Sequence, residues 1–399
     1  MSQAIHQSVG ARSQPAERFY LPELDALRFF AFFAVFIFHL PPAGFPFFWS
    51  YGALGYLGIS GVFGVDLFFT LSGYLLTRLL LREREQAGDI NVKAFYVRRS
   101  LRIWPLYYFV LIFVFLLSLL PASVTSAPPL IVDPFAPMHL RTYFFMALFL
   151  FNFNFANHAS TDRLPLMFNL WTISLEEQFY LFWPWIVRYV PRRRLVVIPI
   201  VMIAIAVTAR AISIPLKVDT LVWNNTFTRL DPIAVGILIA LLPRLNPRPS
   251  LRLVLVLVGF ASWFVAAYYC DLSLQVSTLK ISVGYPMVAL GSGAFLLAAL
   301  GTKLNPSSIL ARCLIYLGKI SYGLYVYSPI ARTLALVFML RVVSRMVTTA
   351  GWAPWTAWSV YILVAFVLNL ALAAASYRWL EAPFLRLKER FARVPSRAV

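Results

Sequence analysis

Long apolar runs follow one another through most of this 399-residue chain, and they leave few ways in which it can fold. Hydrophobic residues make up 60% of the sequence and charged residues only 13%. Ordinary soluble domains are about 45–50% apolar and about 25% charged, so this chain has too few charges to cover a surface in water. The sequence therefore predicts an all-α, polytopic membrane protein with the lipid bilayer as its solvent.

About ten of these runs are long enough, or nearly so, to be interpreted as membrane spans. They lie at 24–41, 59–81, 103–120, 170–190, 195–214, 229–243, 251–270, 281–300, 314–340 and 356–377. The run at 142–156 is only about fifteen residues long and contains two asparagines, so whether it spans is left open. Ten spans with both termini in the cytoplasm place most Lys and Arg on the inner side, although Arg341 and Arg345 then fall outside.

The charge and cysteine content exclude several other classes of protein. The formal net charge of +19 does not indicate nucleic acid as a partner, because cytoplasmic loops of membrane proteins collect Lys and Arg for topological reasons. Two isolated cysteines, Cys270 and Cys313, support neither a disulfide framework nor a zinc site, and no metal is expected. The positions of the first and last spans predict a cytoplasmic tail at 1–20, one membrane domain at 21–383 and a basic cytoplasmic tail at 384–399.

Two ionisable residues of the first run are predicted to share one helix face. Arg28 and His39 are eleven residues apart, which is three helical turns plus roughly 20° and about 16 Å along the axis. On the structural interpretation, each side chain simply reaches the nearer headgroup layer. On the functional interpretation, a cation at the inner end and an imidazole at the outer end face one site, since ionisable groups in spans are costly.

Ionisable residues of three other runs, four carboxylates and one arginine, are expected at a similar depth, near the outer surface. The residues concerned are Asp66, Glu176, Glu177, Arg229 and Asp231. A carboxylate beside the imidazole of His39 would fix its tautomer and raise its basicity, as a general base requires. Glu176 and Glu177 point about 100° apart on a helix, so at most one of them is expected to face the same cavity. An ion-pair network that joins helices is the structural alternative.

Arginines crowd the opposite, inner side of the predicted bundle. They are Arg28, Arg78, Arg98, Arg99 and Arg102. Clustered guanidinium groups suit a polyphosphate, although positive-inside sorting alone would give a similar cluster. There is no Walker loop, GxGxxG, HExxH or GxSxG motif, which argues against a nucleotide hydrolase, zinc protease or serine esterase. His158 and Asp162 have the HxxxD spacing of some soluble acyltransferases, which we interpret as chance and keep only as a reserve hypothesis.

The order and spacing of several short motifs, from about Leu21 to Pro383, resembles acyltransferase family 3, the bacterial integral-membrane acyltransferases that modify hydroxyls of surface carbohydrates and similar acceptors. The matching motifs are Leu24-Asp25-Ala26-Leu27-Arg28 with His39, Gly64-Val65-Asp66-Leu67-Phe68-Phe69 with Leu71-Ser72-Gly73, Arg98-Arg99 with Arg102, Trp171 to Tyr180, Arg229-Leu230-Asp231 with Gly236, Ser321-Tyr322 with Leu324-Tyr325, and Glu381-Ala382-Pro383. Many relatives carry histidine at the positions of Asn169 and Ser328, and the role of those histidines is in doubt here.

The resemblance implies acetyl-CoA, or another acyl-CoA, as a cytoplasmic donor, a carbohydrate hydroxyl at the outer side as acceptor, and a multi-pass position in the bacterial inner membrane. It implies that His39 is the essential residue, as a general base or a transient acyl acceptor. With the residue arguments above, the predicted catalytic residues are His39, Asp66, Glu176 and Glu177. The predicted donor-binding residues are Arg28, Arg98, Arg99 and Arg102, and the predicted acceptor-binding residues are Trp171, Arg229, Asp231 and Tyr322.

Two alternatives remain at the level of sequence. A transporter or flippase for a glycan or lipid-linked substrate would use the same buried charges as a proton relay, although no internal repeat supports it. Acylation of a small molecule such as a macrolide is open within the enzyme class. The sequence does not identify the acceptor, the acyl chain length, the oligomeric state or a partner protein.

Overall fold

The computed structural model describes residues 19–40, 52–119, 138–154, 166–213, 219–243, 245–270, 278–305, 307–339 and 354–391, and the structural statements below refer to these residues. All regular secondary structure in these ranges is helical, which confirms the predicted all-α class. Several predicted features lie outside the described residues. They are His158 and Asp162, Arg341 and Arg345, residues 1–18 of the first tail and residues 392–399 of the second.

The α-helices are numbered here in chain order. They are α1 (Pro22–Phe38), α2 (Gly52–Ser60), α3 (Gly64–Ala87), α4 (Val92–Ser118), α5 (Leu140–Ala147), α6 (Phe151–Asn154), α7 (Leu170–Tyr189), α8 (Val197–Ser213), α9 (Asp219–Asn224), α10 (Leu230–Leu241), α11 (Pro249–Cys270), α12 (Thr278–Ala299), α13 (Ile309–Lys319), α14 (Ser321–Phe338), α15 (Pro354–Ser376) and α16 (Ala382–Glu389). A 3-10 turn at Gly61–Phe63 joins α2 to α3, and a π-helical turn at Tyr377–Glu381 joins α15 to α16.

Six helical stretches of the described chain are long and apolar enough to cross a membrane. They are Gly55–Ala87, Val92–Ser118, Arg192–Ser213, Pro249–Tyr269, Lys280–Ala299 and Thr356–Glu389. A seventh arises if α13 and α14, which meet at a 71° bend, form one broken span. These helices support a multi-span membrane protein, while the count of ten spans and the orientation of the termini stay predictions.

The remaining predicted spans correspond to shorter or more polar helices. α1 and α10 have only 17 and 12 residues, and the 20-residue α7 carries Glu176, Glu177 and Arg188. The run at 142–156 forms α5 and α6, of 8 and 4 residues, with Phe149 between them at a φ of 55°. Since a full crossing takes about 20 helical residues, neither of these two helices spans a bilayer.

Glycines let α3 and α10 approach until their backbones touch. A methyl group added at Gly73 of α3 would overlap the carbonyl oxygen of Ile233, and one added at Gly236 of α10 would overlap that of Thr70. Membrane helices use such small residues because close backbone contact replaces the hydrophobic effect as the source of association. These two motif glycines therefore set the distance between the helix that carries Asp66 and the helix that carries Asp231.

Candidate active site

One cavity beside the N-terminal half of α1 is lined by the four arginines that were predicted to bind the donor. Arg28 comes from α1, and Arg98, Arg99 and Arg102 come from the first three turns of α4. Lys388 of α16 adds a fifth cation, and Asp25 is the acidic residue of the lining. We name this space, of about 90 Å³, the arginine cavity. Its excess of positive charge makes it an anion site by electrostatics.

Two of these arginines are held by carboxylates. Arg98 is buried, and it donates to Oε2 of Glu83 at 2.9 Å and to the backbone oxygen of Phe391 at 2.8 Å. Nη1 of Arg28 donates to Oδ1 of Asp25 at 3.0 Å. Because Glu83 is completely buried, Arg98 balances a charge that would otherwise be costly in the protein interior. Arg98 is therefore bound into the fold as well as lining the cavity.

Arg99 is held by aromatic rings. Its guanidinium carbon lies 5.6 Å from the ring centroids of both Phe95 and Tyr180. Cation–π contacts of this kind leave the N–H donors at the guanidinium edge able to bind an anion. Of the two adjacent arginines, Arg99 is thus better placed than Arg98 to donate to a ligand phosphate.

Glu176 interacts electrostatically with two arginines of the arginine cavity, although it is not one of the residues that line it. It accepts hydrogen bonds from Ser72 Oγ at 2.5 Å and from Tyr180 Oη at 3.1 Å, and Arg28 and Arg102 are the cations that act on its charge. Ser72 follows Asp66 by six residues, which is about 9 Å along α3. The prediction that Glu176 and Asp66 share one depth is therefore wrong, because the register between α3 and α7 is set by side-chain packing and not by where each helix begins.

Glu177 points in a different direction, as the spacing of adjacent residues on a helix requires. Its Oε2 accepts a hydrogen bond of 3.2 Å from Trp104 Nε1, and its Oε1 is buried without a hydrogen-bond partner among the described residues. The two glutamates therefore interact with different arginines, Glu176 with Arg28 and Arg102 and Glu177 with Arg99.

Asp66, Arg229 and Asp231 belong to a buried ion-pair network. Arg229 Nη2 donates to Asp66 at 2.9 Å, and Arg210 donates to both carboxylate oxygens of Asp231 at 3.1 Å. None of the four residues is more than 1% exposed. The network joins α3, α8 and α10 and matches the structural alternative considered above. Arg210 was missed in the sequence, where its only signal was an arginine inside an apolar run.

The residues predicted to contact an acceptor are placed against other parts of the protein. Trp171 is 2% exposed and its ring packs near those of Phe69 and Trp223, at centroid distances of 6.2 and 6.4 Å. Tyr322 Oη donates to the backbone oxygen of Ile103 at 2.8 Å. Together with the burial of Arg229 and Asp231, these contacts keep the predicted set from forming one exposed acceptor surface.

His39 caps the C-terminal end of α1, and its tautomer is set by the backbone. Nδ1 lies 2.8 Å from the carbonyl oxygen of Val35, one turn earlier. A carbonyl oxygen can only accept, so in the neutral imidazole Nδ1 carries the proton and Nε2 carries the lone pair. The expected carboxylate beside His39 is not found among the described residues, because Asp66 pairs with Arg229 and Glu176 bonds to Ser72.

Arg332 of α14 is the charged residue that acts on His39, and sequence reasoning missed it. Its Nη1 donates to the backbone oxygen of His39 at 2.6 Å, and its Nε donates to that of Ser328 at 3.3 Å. Asn169 Nδ2 donates to the backbone oxygen of Tyr325 at 2.5 Å. Asn169 therefore contacts the stretch of α14 that also contains Ser328.

The described residues contain no group of three or more His, Cys, Asp or Glu side chains that could hold a metal ion. The arrangement offers instead an arginine-lined anion cavity and, eleven residues further along α1, an imidazole with a free ring nitrogen. This combination suits chemistry on a ligand that carries phosphates at one end and a reacting group at the other.

Comparison with known proteins gives one family. The model of acyltransferase family 3, described as an acyltransferase domain, matches residues 21–374. The peptidoglycan O-acetyltransferase OatA of Listeria monocytogenes is 27% identical over 334 residues, which is 79% of this chain and 50% of that protein. The O-acetyltransferase OatA of Staphylococcus aureus is 27% identical over 395 residues, which is 91% of this chain and 57% of that protein. The chain thus spans about half the length of these curated relatives, and no solved structure matches it.

Proposed function

Because the chain belongs to acyltransferase family 3, we propose that it is a membrane O-acyltransferase that moves an acetyl group from cytoplasmic acetyl-CoA to a carbohydrate hydroxyl at the outer side of the bacterial inner membrane. A relative is named as a peptidoglycan O-acetyltransferase, so a peptidoglycan glycan is the first acceptor to test. His39 and the arginines of the arginine cavity supply the residues of the proposed reaction.

The observation that carries this proposal is the pair of features on α1. The arginine cavity lies beside Arg28, and His39 caps the same helix eleven residues later, about 16 Å away along the axis. A donor with charged phosphates and a long neutral arm fits such a pair, because its phosphates stay with the arginines while the thioester extends between the helices towards His39. A transported glycan has no need of a phosphate site at one end only.

The proposed reaction uses Nε2 of His39 as general base. Nε2 takes the proton of the acceptor hydroxyl as the hydroxyl oxygen attacks the thioester carbonyl carbon. The new C–O bond forms and the C–S bond breaks, and the leaving thiolate takes the proton back from His39 to become CoA thiol. The carbonyl of Val35 keeps Nδ1 protonated, so that the imidazole presents the basic nitrogen throughout.

The size of the arginine cavity limits what it can hold. A water molecule occupies about 30 Å³ in the liquid, so a cavity of about 90 Å³ has room for a few waters or a phosphate-sized group. We therefore propose that Arg99 and Arg102 bind one phosphate of the donor there, with Arg28 linking the cavity to Glu176. The remaining bulk of CoA has to lie outside this cavity.

Thiol release from radiolabelled acetyl-CoA by the purified full chain in lipid nanodiscs tests the proposal. We expect thiol release together with label transfer to peptidoglycan fragments for the wild type, and loss of both for His39→Gln with unchanged yield and thermal stability. Arg193→Gln, an exposed arginine outside the cavities, is the matched control. Undiminished activity of His39→Gln would contradict the assignment of the base, and absence of acetyl-CoA binding and turnover would favour a transporter.

A further inference from the structure

A second and much larger cavity opens at the same end of the bundle as the arginine cavity. It has a volume of about 1040 Å³, and the two cavities share Phe19, Tyr20 and Leu21 as part of their walls. Small-molecule sites usually have volumes of about 300–1,000 Å³. The large cavity is therefore of the size that a nucleotide needs, and it adjoins the place where we expect a phosphate of the donor.

The walls of the large cavity are held by contacts within the protein. The last three turns of α3 present Arg78, Arg82 and Glu85 on one face, at spacings of four and three residues. The loop after α12 forms the opposite wall, where Gly301 N–H donates to Glu23 Oε1 at 3.2 Å and Arg252 bonds to Thr302. These contacts fix the loop after α12 to neighbouring helices, so that the cavity has a defined shape.

The charges that line the cavity favour an anion. Its cations are Arg78, Arg82, Arg192 and Lys303, and its carboxylates are Glu23 and Glu85. Glu85 pairs with Arg192, and Glu23 accepts from the Gly301 backbone. Four cations against two carboxylates leave an excess of two positive charges, which favours a ligand that carries phosphates.

Aromatic side chains lie among these cations. Phe19, Tyr20 and Tyr74 line the cavity, and the guanidinium of Arg82 lies over the ring of Phe19 at 5.7 Å. Rings and guanidinium planes stack well on nucleobases, whose faces bind such groups without regard to base identity. A simple inorganic anion or a lipid phosphate would use the cations and leave the rings without a role.

We propose that this large cavity binds the nucleotide end of the acyl donor, an adenosine that carries a 3′-phosphate and a 5′-diphosphate. The inference rests on the proposed function and extends it to the part of the donor that the arginine cavity is too small to hold. Lys303 and Arg82 bind phosphate on the nucleotide side. The rest of the donor then passes along Phe19–Leu21, which line both cavities, and enters the arginine cavity. Binding energy from the nucleotide, remote from the thioester, is thereby used to position the reacting end.

Donor truncation tests this proposal. Acetyl-CoA, acetyl-3′-dephospho-CoA and S-acetylphosphopantetheine form a series that loses first one phosphate and then the whole nucleotide. We expect kcat/KM of the wild type to fall at least about tenfold along the series, since hydrogen bonds to charged groups contribute that much in affinity. Lys303→Gln and Arg82→Gln should lower kcat/KM for acetyl-CoA alone, so that the preference for it shrinks. Lys303 is exposed, so its substitution should not impair folding.

A binding measurement separates this proposal from the proposed function. Adenosine 3′,5′-bisphosphate should bind the full chain in phosphatidylcholine nanodiscs, bind at least about fivefold more weakly to Lys303→Gln, and bind Arg193→Gln as it binds the wild type. Binding without turnover of any donor would leave the nucleotide site standing and overturn the proposed function. Turnover that is equal for all three donors, with no binding of the bisphosphate, would overturn the nucleotide site alone. Loss of binding when phosphatidylglycerol replaces phosphatidylcholine would show that the cavity takes a lipid phosphate instead.

Discussion

Arg332 donates a hydrogen bond of 2.6 Å to the backbone oxygen of His39 and thereby ties α14 to the C-terminal end of α1. The last carbonyl groups of a helix have no partner within it, and a guanidinium placed there satisfies one of them. The contact fixes the backbone from which the imidazole extends. It also means that the position of His39 depends on α14, which lies about three hundred residues later in the chain and was not part of the predicted site.

Arg332→Gln should lower kcat while leaving KM for acetyl-CoA nearly unchanged. In the proposed reaction a displaced His39 loses alignment with the acceptor hydroxyl and the thioester carbonyl, and the expected fall in kcat is about tenfold or more. Arg332→Lys keeps the charge and one donor, so it should recover part of kcat. Steady-state kinetics of the three proteins, with thermal unfolding as a control, makes the comparison. A fall in stability with unchanged kcat would assign Arg332 to the fold alone.

Asp66→Asn should destabilise the protein by about 3 kcal/mol, because it leaves the buried Arg229 without its counter-charge. Asp89→Asn is the matched control, since Asp89 is 55% exposed and such surface pairs contribute about 0–1 kcal/mol. Thermal unfolding and yield of folded protein measure the difference. Normal stability together with lost activity in Asp66→Asn would instead restore Asp66 to the catalytic set.

Arg98 and Arg99 should respond differently to the same substitution. Arg98→Gln leaves the buried Glu83 unpaired, so unfolding should occur at a clearly lower temperature. Arg99→Gln removes cation–π contacts and a phosphate donor, so KM for acetyl-CoA should rise about tenfold with a smaller loss of stability. Thermal unfolding measures the loss of stability of both variants, and titration with acetyl-CoA measures the change in KM. Equal effects on KM would mean that both arginines bind the donor directly.

Gly236→Ala should destabilise the bundle by about 1–3 kcal/mol, because its methyl group overlaps the backbone of Thr70 and separates α3 from α10. Gly58→Ala provides the control, since no atom lies within 4 Å of the added methyl group. The two variants differ from the wild type by the same group, so their unfolding temperatures can be compared directly. Similar temperatures for both would show that α3 and α10 can separate at little cost.

Relationships within one helix could be predicted from the sequence. Arg28 lies on α1 and His39 caps the same helix, and the arginines of α4 come together because three of them fall within five consecutive residues. The periodicity of a helix determines these relationships, and no other part of the chain has to be known. The all-α class followed in the same way from composition alone.

Relationships between helices could not be predicted. The pairing of Glu176 with Ser72 depends on how α7 is shifted along α3, and a depth counted from helix ends is too coarse to find it. The pairing of Asp231 with Arg210 required knowing that α8 packs beside α10. His39 was expected to meet a carboxylate, but its imidazole bonds to its own helix, an option that any helical histidine has and that no sequence pattern marks.

The ion pair between Asp66 and Arg229 joins residues 163 positions apart, and this has a consequence for biosynthesis. When α3 leaves the ribosome, its partner has not yet been translated, so the nascent helix must enter the bilayer with an unneutralised carboxylate. Insertion of such a charge costs about 2.5–3.5 kcal/mol at the centre of a span, which is an upper limit for Asp66 because it lies in the first turn of α3. This free-energy cost persists until Arg229, which directly precedes α10, has been translated and can pair with Asp66. A chain that stops short of residue 229 therefore retains an exposed acid in the membrane, by which cellular quality control can distinguish an unfinished molecule from a complete one.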